Sequence, residues 1–368
     1  MSNTAMDVIY LASCAVNDTV PEKVRVEQMD LEAVYALGSR HMITATVAFA
    51  LETAGFKDKR SGSAIAAAMR KTALFDQTWG DIKKKLEQAG IWYMPLKGAV
   101  LKGLYPKYGM REFADHDILF DASRADDVKT IMEELDFKSA RYGSSNHDCY
   151  YKRPCLNFEM HRALFGPGHE EKLFEYYKDV GSRLVRGAGY ERKFTLEDFY
   201  LYFLSHEYKH YEGSGTGLRS LLDTYVYLSK TSFDMNYVQA ETEKLGIREF
   251  EEKNRSLSQH LFSGEKLTEA DQEMLDYILS SGTYGTITHR VENKMRKNGW
   301  SKIRYALDRF FVPVSKRNKD YAAYAGAYPL FYKHKILLPL LPFYRTLRAM
   351  KAGRFETEAQ AIINANKP

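Results

Sequence analysis

The apolar period changes twice along this chain, and the stretch from about 91 to 165 limits the fold most. Short runs of strand length succeed one another there: IWYMPL from Ile91, HDILFD from His116, KSARYG from Lys138, HDCYYK from His147 and LNFEMHRALF from Leu156. Runs this short and rich in aromatic and aliphatic residues suit buried strands. LKGAVLKGLYP, after the first run, starts as a turn and short helix that stops at Pro106. SRADDVKTIMEELDF, after the second, is an N-capped helix. Strand, helix, strand, helix in succession implies a sheet with helices against it.

The flanks have helical spacing instead. LEAVYALGSRHMITATVAFALETAG places apolar groups three and four residues apart, with Asp30 as N-cap. Lys57–Gly62 is a polar break, and a second helix runs from about Ser63 to Ala89, ending at Gly90. Helical patterns return at Leu196 and continue to about Arg309. The expected fold class is therefore α+β: a small mixed-sheet core over 81–190, a helical region over 1–80, and a second over 191–368.

Composition narrows the setting. No run of eighteen uncharged apolar residues is present, which excludes a spanning helix. The N-terminus lacks a basic leader, against a secretory signal. Three cysteines, Cys14, Cys149 and Cys155, are too few for a disulfide framework and fit a reducing, cytoplasmic setting. Cys149 and Cys155 with His147 and His161 suggest zinc, but their spacing matches no structural zinc pattern, so ordinary strand residues are expected. The net charge of +5 is uneven. From Arg290 to Arg354 sixteen Lys or Arg face three acidic residues, giving the C-terminal segment a surface of its own.

The chemistry concentrates in REFADHDILFD. Asp115 and Asp117 flank one residue at the start of a strand, so both carboxylates point one way and His116 the other. Two such charges a few ångströms apart are costly without a cation between them, and magnesium with its oxygen ligands is the natural one. A D-x-D alone is weak, because solvated acidic pairs at strand ends are common. Two further features strengthen it. In LNFEMH, Leu156, Phe158 and Met160 alternate with Asn157, Glu159 and His161, so a third carboxylate can converge on the pair. Upstream, Lys97 and Gly98 stand at a strand-to-helix junction, a place that favours phosphate.

LKGAVLKGLYPKYGMREFADHDILFD, followed by LNFEMHRALF, resembles the bacterial nucleotidyltransferase family of unassigned substrate, within the DNA polymerase beta-like superfamily. RHMITATVAFAL resembles its N-terminal helical region, LSHEYKHYEGSGTGLRSLLDTYVYL its helical middle, and YPLFYKHKILLPLLPFYRTLR its closing segment, so the likeness covers most of the chain. The resemblance implies a polymerase beta-like core that transfers a nucleoside monophosphate from a nucleoside triphosphate to an unnamed acceptor hydroxyl, with Mg²⁺ or Mn²⁺. It implies Asp115, Asp117 and Glu159 as metal ligands, with Glu159 also the base. Lys97 and Gly98 would hold the triphosphate and Arg111 offset its charge. This chain departs from the superfamily in having Lys-Gly where Gly-Ser is usual, at longer spacing, and Glu where the third acid is commonly Asp. A relative that binds nucleotide or a partner without turnover fits the same motifs.

Other motifs compete. HEYKH, His206 to His210, fits the zinc-protease pattern, but Lys209 places a charge beside the second histidine and no third-ligand motif follows. His206 and His210 are then packing or capping histidines, or with His161 they line a substrate cleft. Arg219 and Asp223, four apart, are most simply an intrahelical ion pair, or belong to that cleft. GSGTG, Gly213 to Gly217, follows a helix and suits a helix-to-helix turn. The basic, aromatic stretch 328–350, broken by Pro329, Pro339 and Pro342, can lie peripherally on a membrane, meet a partner or grip nucleic acid. Packing on the protein's own body is the plainer expectation.

Overall fold

Five helices precede the sheet: α1 (Asn3–Val16), α2 (Lys23–Glu27), α3 (Leu31–Arg40), α4 (Thr44–Thr53) and α5 (Lys59–Gln88). They belong to a computed structural model that describes residues 3–143, 145–166, 171–311, 324–325, 327–351 and 353–365. It divides the chain into two units, one of Met1–Tyr208 with Gly217–Thr283, the other of Lys209–Thr216 with Tyr284–Pro368.

Asp30 caps α3, accepting from the Ala33 N–H at 3.1 Å. The single helical run expected to follow it is in fact two helices. Ile43 N–H bonds Gly38 O at 2.9 Å and Met42 N–H bonds Ser39 O at 3.1 Å, while Met42 adopts a φ of 53°. Those two bonds around a left-handed residue close a helix C-terminus, a role usually given to glycine. α5 begins at Lys59, inside the expected polar break, because Asp58 caps it by accepting from the Ser61 N–H at 2.6 Å. It ends as expected before Gly90, whose φ is 66°.

The sheet contains β1 (Tyr93–Pro95), β2 (His116–Phe120), β3 (Lys138–Arg141), β4 (His147–Lys152) and β5 (Leu156–His161), in the order β1-β2-β5-β4-β3. β2 and β5 run parallel and the other neighbours antiparallel, so the sheet is mixed. β1 pairs over three residues only and ends in Pro95, which an edge strand tolerates. Two short helical pieces occupy the connections, α6 (Gly98–Leu101) and α7 (Ala125–Glu134). Alternation along the strands sorts the two faces. Ile118, Phe120, Phe158, Met160 and Tyr150 pack with Phe75, Ile82 and Leu86 of α5 and Val128, Ile131 and Met132 of α7. Burial of each such side chain stabilises by about 1.5–3 kcal/mol. Asp117, Glu159 and His161 sit at the alternate positions and face the other side. The fold is thus α+β, a small mixed sheet flanked by helices.

The chain continues through α8 (Glu171–Tyr177), the two-stranded pair β6 (Val185–Arg186) and β7 (Arg192–Lys193), α9 (Leu196–Gly213), α10 (Leu218–Lys230), α11 (Met235–Leu245), α12 (Arg248–Ser263) and α13 (Glu269–Ser281). In the second unit, α14 (Ile287–Asn298) and α15 (Lys302–Phe311) meet the C-terminal helix Arg354–Asn364 around Val291, Met295, Tyr305 and Ala361. The stretch 328–350 forms a helix at Pro329–Lys333, a tighter turn at Lys335–Leu340 and a helix at Leu341–Lys351. Leu330, Ile336, Phe343 and Leu347 are exposed there. Among the described residues no helix is long and apolar enough to cross a membrane.

Candidate active site

Asp117 and Glu159 are register partners across β2 and β5, and His161 lies two residues further along the same face. One ligand atom from each of the three falls within 4.8 Å of the other two. His161 Nε2 is 2.8 Å from Asp117 Oδ1 and 3.8 Å from Glu159 Oε2. The Lys97 ammonium donates to the same Asp117 oxygen at 3.0 Å. Burial works to raise the Asp117 pKa, but the Lys97 charge and the His161 hydrogen bond overcome it and hold the carboxyl well below the usual carboxylate range. Asp117 is therefore an anion inside the protein, only 5% exposed.

Asp115 precedes β2 and stands outside that group of three. Its carboxyl is pushed up, first by burial and then by the Asp117 charge, while Lys97, Arg219 and Arg111 pull it down. The Asp117 charge therefore acts on Asp115. His116 between them points to the opposite face, stacked on Phe158 at 5.1 Å and Phe75 at 6.1 Å. Burial lowers its pKa to about 4, so it is a neutral ring in the core.

Lys97 reaches Asp117 from a strained turn. Its φ and ψ are 42° and −117°, and the Ala99 N–H bonds Leu96 O at 3.0 Å across it. This is a type II′ turn, whose first central position ordinarily belongs to glycine. Strain of that kind costs on the order of 1–3 kcal/mol and persists only where the surroundings impose it. Leu96 N–H bonded to Asp117 O at 3.0 Å ties the turn to β2.

Arg111 lies behind Gly98. Its Nε and Nη2 donate to the two Asp223 oxygens at 2.7 and 2.6 Å, and the Tyr105 hydroxyl donates to the same carboxylate at 2.7 Å. Both members of the pair are buried. The intrahelical pairing expected of Arg219 and Asp223 is therefore replaced: Asp223 is taken by Arg111, and Arg219 Nη1 donates instead to Glu112 O at 3.2 Å. The Asp223 charge still acts on Arg219, without a direct ion pair. Asp223 offsets part of the Arg111 charge, while Arg111 Nη1 is buried without a hydrogen-bond partner among the described residues and is left as a donor.

The HEYKH stretch falls within α9. Glu207 is buried and accepts from Asn254 Nδ2 at 3.0 Å and the Thr224 hydroxyl at 3.3 Å. Burial, aided by the Asp223 charge, raises its pKa to about 8. A protease base must face a metal-bound water, and this carboxyl faces the helical interior. His206 is half-buried and His210 exposed. Neither joins a metal-capable group among the described residues. Residues 214–217 join α9 to α10, so the GSGTG stretch falls at the helix-to-helix connection expected.

Two features of this face went unnoticed in the sequence. Tyr202 on α9 is fully buried, and its hydroxyl has no hydrogen-bond partner among the described residues. Burial first, then the charges of Asp117 and Glu159, push the phenol well above its ordinary pKa. It sits within a buried run from Asp198 to Ser205, where nothing in the pattern singles out one tyrosine. The second is the grouping of His147 and Cys149 with Glu159, which arises only through the pairing of β4 and β5.

A mixed sheet carrying carboxylates in register on one polar face, with helices on the other, is compatible with a nucleotidyltransferase core flanked by helices. The family described as "uncharacterised nucleotidyltransferase" matches residues 27–263, and the chain belongs to it. No curated protein and no solved structure matches the chain.

Proposed function

We propose that this nucleotidyltransferase moves a nucleoside monophosphate from a nucleoside triphosphate to an acceptor hydroxyl, with Asp115, Asp117 and Glu159 at its centre. The observation that carries the reading is the in-register pair Asp117 and Glu159, with a lysine 3.0 Å from the first. The donor set fits a divalent ion, since two carboxylates converge with an imidazole, beside a phenol that has no hydrogen-bond partner among the described residues. Magnesium or manganese held by Asp117 and Glu159, with Asp115 as a third carboxylate, would neutralise triphosphate charge.

The acceptor oxygen attacks the α-phosphorus, the bond to the β-phosphate oxygen breaks, and pyrophosphate leaves. Glu159, 21% exposed at its side chain, takes the hydroxyl proton. Lys97 exchanges its contact with Asp117 for the triphosphate. Arg111, fixed by Asp223, and Arg219 supply the positive field behind it.

Thermal unfolding with each of the four nucleoside triphosphates, with and without Mg²⁺, tests this. Magnesium-dependent stabilisation by at least one nucleotide, lost in Asp117→Asn, is expected, because a ligand of the native state raises the midpoint. No stabilisation by any nucleotide, or equal stabilisation in the mutant, refutes the site.

A further inference from the structure

The polar face of the sheet extends past the carboxylates. In the β4–β5 pairing Cys149 stands opposite Glu159 and His147 opposite His161, so all four side chains share one face. His147 Nε2 lies 3.6 Å from Glu159 Oε2, and the two imidazole rings are 5.0 Å apart. One ligand atom each from His147, Cys149 and Glu159 falls within 4.8 Å of the others. Cys149 is buried, while His147 and Glu159 are half-buried, so solvent reaches the group.

This donor set differs in kind from the one proposed for nucleotide transfer. A hard ion such as magnesium takes oxygen ligands and has little use for sulfur. An imidazole, a thiolate and a carboxylate together suit a borderline transition metal. We propose that His147, Cys149 and Glu159 bind a zinc-class divalent ion beside the nucleotide-transfer position, with Glu159 common to both. Three protein ligands leave a fourth position open to water or substrate. Binding exchanges the thiol proton for the metal, and the proton leaves to solvent. An ion here fixes the orientation of Glu159 from the β4 side.

Cys155, the partner that the sequence offered for Cys149, is exposed outside the strands and takes no part. The site is built across a hairpin, which is why its spacing resembles no zinc motif.

The full-length protein titrated with Co²⁺ gives the test. A 1:1 complex with an ultraviolet sulfur-to-cobalt charge-transfer band is expected, displaced by Zn²⁺ and unaffected by Mg²⁺. The band should vanish in Cys149→Ser and persist in Cys14→Ser and Cys155→Ser. His147→Gln, at a half-buried position, should weaken cobalt binding while the fold is kept, which covers the case of a misfolded Cys149 variant. No cobalt binding, a complex without the band, or a band surviving Cys149→Ser overturns the site. Magnesium-dependent nucleotide stabilisation of Cys149→Ser and His147→Gln reads the transfer site separately, so either proposal can fail alone.

Discussion

The Arg111 guanidinium lies so close to Gly98 that a Cβ added to the glycine would stand 2.3 Å from Nη1. Arg111 cannot retreat cheaply, since its other two nitrogens hold Asp223 in a buried pair. Gly98→Ala should therefore destabilise the protein by about 1–3 kcal/mol, the usual cost of overpacking. Urea unfolding measures it. A variant as stable as the parent would show that the guanidinium moves freely and that Gly98 is not there for close approach.

The strained turn at Lys97 predicts an inverted order of substitutions. Alanine removes the ammonium and keeps the unfavourable φ of 42°; glycine removes the ammonium and relieves the backbone. Lys97→Gly should be more stable than Lys97→Ala by about 1 kcal/mol, although glycine normally loses to alanine. Both should lose magnesium-dependent nucleotide stabilisation, because the ammonium that passes from Asp117 to the triphosphate is gone. If alanine proves the more stable of the two, Lys97 is not held in a glycine conformation.

Glu207 makes stability depend on pH. Its folded pKa, about 8, lies above the unfolded value of about 4.3. A raised carboxyl pKa means that the folded state holds the proton longer, so its contribution is complete below the unfolded pKa and fades as pH rises through about 8. Glu207→Gln has no proton to lose and can still accept from Asn254 and Thr224. The decline in stability between pH 5 and 8 should flatten in this variant, with a gain on the order of 2 kcal/mol near pH 7.5. Denaturant midpoints at several pH values decide it, and parallel curves for the two proteins would mean that Glu207 is ionised in its pocket.

Much of this was legible because it is written in alternation. Strands β3 to β5 and the two faces of LNFEMH follow from residues that must lie on opposite sides of a pleat. Alternation also put Asp117 and Glu159 on polar faces, but the parallel register that makes them partners belongs to the sheet. The break after α3 escaped notice because Met42 occupies a place where a glycine would have announced it. Arg219 and Asp223 misled for a related reason: spacing of four permits an ion pair and says nothing of a better partner 112 residues away, which Asp223 found in Arg111. Cys149 was weighed with Cys155, and its neighbour Glu159 across the hairpin could not be read from sequence distance.

Tyr202 offers the sharpest separation of stability from function. Its hydroxyl is buried beside two carboxylates and makes no hydrogen bond with a described residue. A buried polar group left without a partner costs about 1–3 kcal/mol. Tyr202→Phe removes the cost and keeps the ring packed against Phe194, at 5.8 Å between centroids, and Tyr177, at 6.2 Å. The variant should therefore be as stable as the parent, or more so by about 1 kcal/mol. If the phenol serves bound nucleotide or its metal water, the gain in melting temperature from nucleotide and Mg²⁺ should shrink in the same variant. A protein destabilised by the change would reveal a hydroxyl partner, and one with an undiminished ligand shift would make Tyr202 a packing residue alone.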